Sequence, residues 1–331
     1  MRLTTVDAHV AGAAVRLVTS GVPTLAGPTL RERQRSFEQR ADRVRTALCR
    51  EPRGHSGVIG VVLTEPDRPS ADAGLLFFHG RGYPSLHGEA VLAASHLAIR
   101  HGLISLPADR AAVHFDTPAG PVVVRRGAGT DGHRFRRLTG PAAFVLRGGA
   151  TLEPAPRTLR IDIVWSGSEF LVIADAELAG APLVPARAFD LQRIGVALLA
   201  TVNEHLCPTH PTDAGQQGAR GAVFIGAPIS ESADVRSAVV HEDGALERAP
   251  SASATAAVVT VLHAMGMAEP GRVVRHEGLI GTSLQAAVAQ VSTVGAIPSC
   301  EVEIEGDAFE TGQHTFIVDP EDPLADGVLL G

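Results

Sequence analysis

Two short runs most constrain what this chain can fold into. Val91 to Ile99 (VLAASHLAI) and Ala256 to His263 (AAVVTVLH) are apolar around almost the whole helical circumference, the mark of a buried helix. Each is fed by a loop of small and polar residues. Gly82-Tyr83-Pro84-Ser85-Leu86-His87-Gly88-Glu89-Ala90 precedes the first, and Glu247-Arg248-Ala249-Pro250-Ser251-Ala252-Ser253-Ala254-Thr255 precedes the second. One such motif falls in each half of the chain. The amides of a helix's first turn lack intrahelical acceptors and attract an anion such as a carboxylate, so any chemistry is expected at these two helix starts.

The segments around them read as sheet. Leu3 to Val10 and Ala14 to Thr19 are expected to form a hairpin across Ala11, Gly12 and Ala13, and SGVIGVVLTEP and DAGLLFFHGRGYP are two further apolar strands. VHFDTPAGPVVVRR is a hairpin turning at Pro118, Ala119 and Gly120. Between Thr29 and Arg50, the positions Leu30, Phe37, Ala41, Val44 and Leu48 recur at helical spacing, which predicts one amphipathic helix. The second half repeats the order: strands at Leu159 to Val164 and Glu169 to Ala174, a helix near Leu191 to Asn203, more strands, and a helix from Ala252 to Met265. Gly-rich text around Gly127 to Gly132 and at Gly148 and Gly149 sets the domain boundary near residue 150. The expected domains are 1–150, carrying His87, and 151–331, carrying Ser251, with the last residues able to cross back to the first.

Length and composition narrow the function. A chain of 331 residues is long enough for two cores. With aromatics at 4%, those cores are built from Val, Leu, Ile and Ala. A net charge of -7 and no basic run argue against nucleic acid as a partner. No apolar stretch is long enough for a bilayer and the start MRLTTVDAHV lacks a signal-peptide layout, so a cytoplasmic protein without a membrane partner is expected. Cys49, Cys207 and Cys300 are too scattered for a disulfide framework and read as small hydrophobes. His205, Cys207 and His210 lack a matching second ligand cluster, so no metal is expected. No phosphate loop with the required spacing appears at Gly129 or Gly148, and the chain contains no lysine to carry pyridoxal. No cofactor is expected.

The motifs together resemble the proline racemase family, which includes 4-hydroxyproline epimerases and trans-3-hydroxyproline dehydratases. The resemblance rests on VDAH at the start, EPRGH at Glu51 to His55, the Gly82 motif, DTPAG at Asp116 to Gly120, His210-Pro211, GLIGTSL at Gly278 to Leu284 and VDPEDPL at Val318 to Leu324, in that order. It implies an α/β (α+β) fold like that of diaminopimelate epimerase: two similar domains, each a curved, mostly antiparallel sheet around a central helix, with substrate in the cleft between them. It implies a small amino-acid substrate, no cofactor, and a monomer or homodimer.

In typical members of that family a cysteine stands at the place of His87 and another at that of Ser251, facing opposite sides of the substrate's α-carbon. Carried to this chain, the catalytic candidates are His87 and Ser251. The amides of Gly88 and Glu89, and of Ala252 and Ser253, are the candidates for the substrate carboxylate. Glu247 takes the place of an aspartate that contacts the substrate amine, and Glu89 that of a histidine. An imidazole is a good general base near neutral pH, whereas a serine hydroxyl needs another base to activate it. One base suits elimination, so a dehydratase is the leading reading, with two-base racemisation or epimerisation second and a non-catalytic amino-acid-binding role third. Ser251 alone also reads as a helix N-cap, and Arg53, His55, Asp116 and the run Asp319 to Pro323 as braces of turns.

Overall fold

The computed structural model describes residues 1–107, 109–127, 135–152 and 159–329. Most of the Gly-rich stretch from Gly127 to Gly132 lies outside the described residues. The chain divides into two compact units, Met1–Leu138 with Gly306–Gly331, and Thr139–Glu305. The division therefore falls before residue 150. The segment Phe144–Leu152 is a strand paired with Leu159–Trp165 and so belongs to the second unit, while Ala308–Ile317 pairs along Arg2–Val10 in the first.

The first unit contains strands β1 (Arg2–Val10), β2 (Ala13–Ser20), β3 (Val58–Thr64), β4 (Ala73–His79), β5 (Ala112–Thr117), β6 (Gly120–Arg126) and β7 (Phe135–Thr139). Its helices are α1 (Leu30–Arg40), α2 (Asp42–Cys49) and α3 (Gly88–Arg100). The second unit contains β8 (Phe144–Leu152), β9 (Leu159–Trp165), β10 (Phe170–Asp175), β11 (Ala219–Gly226), β12 (Val235–His241), β13 (Val274–Glu277), β14 (Ser283–Val294) and β15 (Ile297–Glu305), with helices α4 (Ala188–His205) and α5 (Ala252–Ala264). The chain closes with β16 (Ala308–Ile317), which returns to the first unit.

Both units use one connection scheme. In the first, β1 and β2, β3 and β4, and β5 and β6 are antiparallel hairpin pairs, joined side by side through the parallel pairs β2–β3 and β4–β5. In the second, β9–β10, β11–β12 and β13–β14 are antiparallel and are joined through parallel β10–β11 and β12–β13. A parallel junction needs a crossover, and helices supply it. In each unit the first crossover carries the outer helices (α1 and α2, or α4) and the second carries the central helix (α3, or α5). In the second unit Ala143, just before β8, exchanges hydrogen bonds of 2.8 and 2.9 Å with Cys300 of β15, so the first and last strands of that sheet meet.

The burial pattern explains the apolar runs. Leu171 and Ile173 of β10 face α5, where they pack with Val164, Val223 and Val239 against Ala254, Ala257, Val258 and Val261. Phe170 and Val172, on the other face, join Leu191, Leu198, Leu199 and Val202 of α4. A strand covered on both faces needs a continuous apolar run rather than alternation, which is what FLVIA supplies. Each valine buried from α5 contributes roughly 1.5–3 kcal/mol. Small residues let these layers approach: a Cβ on Gly195 of α4 would lie 2.5 Å from Val240 Cβ on β12.

The single helix expected over Thr29 to Arg50 is two. Thr29 and Glu32 close a reciprocal capping box at the start of α1, and the helix breaks at Ala41, where φ is -132° and ψ 17°. Asp42 then starts α2 with its carboxylate held from outside the helix by the Tyr83 hydroxyl at 2.7 Å and from within it by Arg45, three residues on. The apolar stripe survives the break, since Leu30, Phe37, Ala41, Val44 and Leu48 all remain buried in one cluster. No helix among the described residues is long and apolar enough to cross a membrane.

Candidate functional site

In the first unit the Gly82 loop is tied down before it reaches α3. His79 and Gly82 bond reciprocally through their backbones, the Tyr83 carbonyl accepts from Gln34 Nε2 at 2.9 Å, and the Ser85 carbonyl accepts from the Ala119 amide at 3.2 Å. The Tyr83 ring packs edge-on against Phe37, and its hydroxyl holds Asp42. The loop thus delivers His87 to the N-cap of α3 in an extended conformation, φ -143° and ψ 108°, with no side-chain cap bond. Its carbonyl accepts from the Val91 amide at 3.0 Å. Gly88 and Glu89 form the buried first turn, and the Glu89 carboxylate, 1% exposed, places Oε2 3.3 Å from His87 Nδ1. An acidic side chain suits the positive end of a helix.

In the second unit the approach to α5 is a hairpin turn that brings Glu247 back beside β12: the Glu247 amide donates to the Val239 carbonyl at 2.9 Å, and the His241 amide to Ala245 at 2.8 Å. Glu247 Oε1 lies 2.6 Å from His241 Nε2, each side chain about a quarter exposed or less. Burial works to lower the His241 pKa, but the hydrogen bond and charge of Glu247, with Glu169 and Asp243, outweigh it and push the imidazole up to about 9. It is an imidazolium near neutral pH. Glu247, read from sequence as a contact for a substrate amine, therefore already faces a cation from its own unit.

Ser251 is the N-cap of α5 and is 2% exposed. Its φ of 52° and ψ of 127° lie in a region that side chains other than glycine rarely adopt, and such strain concentrates where geometry serves function. The hydroxyl accepts weakly from the Ala254 amide at 3.5 Å and lies 3.1 Å from Ser253 Oγ. The Ser251 carbonyl accepts both the Thr255 amide at 2.8 Å and the Thr255 hydroxyl at 2.6 Å. Thr255 Oγ1 then meets His276 Nδ1 at 2.8 Å, and His276 Nε2 meets Ser237 Oγ at 2.7 Å.

Proton directions along this chain follow from its end. A carbonyl only accepts, so the Thr255 hydroxyl donates to Ser251, Nδ1–H of His276 donates to Thr255, and Nε2 accepts from Ser237. Complete burial holds the His276 pKa down to about 4, which keeps the ring neutral as this arrangement requires. Gly278 presses on the same corner: a Cβ there would sit 2.5 Å from the Pro250 nitrogen. That contact accounts for the first glycine of GLIGTSL.

Each expected site residue thus sits at one of the two helix starts: His87, Gly88 and Glu89 at α3, and Glu247, Ser251, Ala252 and Ser253 at α5 with its approach. Sequence reasoning missed His241, His276, Ser237 and the part played by Thr255. Only His241 carried a local signal, six residues before Glu247 across a turn-forming Asp243-Gly244. The braces read from sequence have named partners. Asp116 accepts from the amides of Asp67 and Arg68 and from Arg68 Nε, and Arg53 reaches Asp322 and the carbonyls of Leu324 and Ala325. His210 packs against Phe144 and Trp165. Among the described residues no group of three His, Cys, Asp or Glu side chains could hold a metal ion.

Comparison with known proteins adds a family. A model of the proline racemase family matches residues 5–329. A trans-3-hydroxy-L-proline dehydratase from Bacillus cereus is 29% identical, covering 99% of this chain and 98% of its own. A 3-hydroxyproline 2-epimerase from Burkholderia multivorans is 32% identical over 99% and 98%. The crystal structure of a probable proline racemase from Agrobacterium radiobacter superposes with a TM-score of 0.88, covering 99% of this chain and 96% of that one at 24% identity, which establishes the shared fold.

Proposed function

The chain belongs to the proline racemase family, and on that premise we propose that it is a cofactor-independent enzyme that removes the α-proton of a proline- or hydroxyproline-like amino acid with His87 as its single base, in a dehydration. The observation that carries this reading is the contrast between the two helix starts. At α3 the N-cap is an imidazole that makes no cap bond and lies beside a carboxylate. At α5 the N-cap is a buried hydroxyl whose described contacts are Ser253 and the Ala254 amide, neither of them a base.

In this reading the substrate carboxylate is held by first-turn amides at the start of α3, those of Gly88 and Glu89, which need no particular side chain. His87 Nε2 takes the α-proton, the electrons of the Cα–H bond form a Cα=Cβ double bond, and the Cβ–O bond breaks. The departing hydroxide is protonated to water, and the cyclic enamine tautomerises to a pyrroline carboxylate. In trans-3-hydroxyproline the α-hydrogen and the hydroxyl share one face of the ring. A single imidazole on that face can therefore remove the proton and return it to the leaving oxygen. The partner in this reading is a small amino acid, and neither nucleic acid nor a membrane takes part.

The reading is tested by incubating the protein with trans-3-hydroxy-L-proline, trans-4-hydroxy-L-proline and L-proline in deuterated water. Loss of water to a pyrroline acid, abolished in His87→Ala, is the expected result. Stereoinversion with deuterium at the α-carbon would replace the dehydratase by an epimerase. Neither product nor α-exchange with any of the three would overturn an α-carbon reaction on this substrate class.

A further inference from the structure

We propose that Glu89 is the positioning residue of the base. It holds His87 through Nδ1, so that Nε2 takes the proton, and it stabilises the imidazolium formed when it does. The inference rests on the reading of His87 as the base and adds a residue whose side chain that reading leaves without a role.

Three observations converge. Oε2 of Glu89 is 3.3 Å from His87 Nδ1, an ion-pair distance, and catalytic hydrogen bonds are commonly long until the Michaelis complex forms. The carboxylate is almost fully buried, 1% exposed, where a charge without compensation would be costly. The positive end of α3 and the imidazole both offset that cost, the imidazole most when it is protonated. Finally, both side chains are set by the same helix start, His87 at the N-cap and Glu89 in the first turn of α3. The two residues are thus placed next to each other at one end of α3.

The chemistry follows from the two ring nitrogens. A carboxylate only accepts, so a neutral His87 facing Glu89 carries its proton on Nδ1 and presents the lone pair of Nε2. When Nε2 gains the α-proton, the ring becomes a cation next to a fixed anion. No group needs to be reorganised in that step, so the carboxylate lowers the barrier to proton removal more than it strengthens substrate binding.

The test compares wild type, Glu89→Gln, Glu89→Asp, His87→Ala and the His87→Ala/Glu89→Gln double variant, with thermal melting to confirm folding. Glu89→Gln keeps the shape and removes the charge. Turnover of trans-3-hydroxy-L-proline is expected to fall in kcat by at least about 10-fold, within the roughly 10²–10⁴-fold that a positioned base supplies in total. KM should change little, Glu89→Asp should recover part of the rate, and Glu89→Gln should add no loss in the His87→Ala background. In ¹⁵N NMR the neutral His87 ring of the wild type should carry its proton on Nδ1. A KM that rises while kcat holds would assign Glu89 to the substrate amine and overturn the proposal, as would a neutral wild-type His87 ring that carries its proton on Nε2. If the wild type turns over none of these amino acids, the proposed function fails, and the tautomer measurement still decides the pairing on its own.

Discussion

The His241–Glu247 pair ties the stability of the second unit to pH in a direction that can be checked. The imidazole stands at about 9 in the folded protein against 6.5 when unpaired, a rise that Glu247 sustains against the opposing effect of burial. Each pH unit of displacement corresponds to about 1.4 kcal/mol, so the protonated pair contributes on the order of 3 kcal/mol. Because the folded value lies above the unfolded one, this contribution is present in full below pH 6.5 and disappears as the pH rises through about 9. Glu247→Gln removes the charge that raises the imidazole and leaves burial to lower it. The assay is urea unfolding of wild type and Glu247→Gln at pH steps from 6 to 9.5, using the difference between the two proteins so that other titrating groups cancel. The wild type should be more stable by about 3 kcal/mol at pH 6, with the gap closing to near zero by pH 9.5. For a domain of 150–250 residues the corresponding gap in Tm is roughly 6–12 °C. Parallel stability profiles for the two proteins, or a gap that widens with pH, would refute the assignment of Glu247 as the partner that keeps His241 charged.

Two further predictions concern buried groups. Thr255→Val preserves shape but removes the hydroxyl that bonds the Ser251 carbonyl and accepts from His276; it should destabilise the protein by about 1–3 kcal/mol in urea unfolding, and a change below about 0.5 kcal/mol would show that the network does not brace Ser251. Cys49 is fully buried with its thiol pushed up to about 12, Cys300 is buried and likewise raised by burial, and Cys207 is exposed. A disulfide reagent should therefore label one thiol quickly in the native protein, none in Cys207→Ser, and the other two only on unfolding; fast labelling of Cys49 would contradict its placement.

The central helices were legible in the sequence because their signal is local. Val91 to Ile99 and Ala256 to His263 are apolar around almost the whole helical circumference, and such a segment is driven into a core. The hairpins were legible for the same reason, through alternating or continuous apolar runs punctuated by Gly and Pro. The break at Ala41 was not, since the apolar spacing runs through it without interruption. Tyr83, forty-one residues away, holds Asp42 at the start of the second helix. The boundary near 150 was misplaced because glycines at 148 and 149 look like a linker but lie within β8, with the Gly149 amide bonded to Asp162.

The site divides in the same way. The amino-acid order by itself determined that an imidazole and a serine stand at the entries of two buried helices, because N-cap residues and their first-turn amides follow from the chain order alone. Tertiary structure decided what those groups can do. It set the left-handed backbone of Ser251, tied through Thr255 to a histidine twenty-one residues further on, and it raised one histidine to about 9 while lowering another to about 4. Both His241 and His276 are single letters among fourteen histidines. Their charge is settled by which groups the folded chain brings within hydrogen-bonding distance and how far it shuts out water, and neither quantity is written in local sequence.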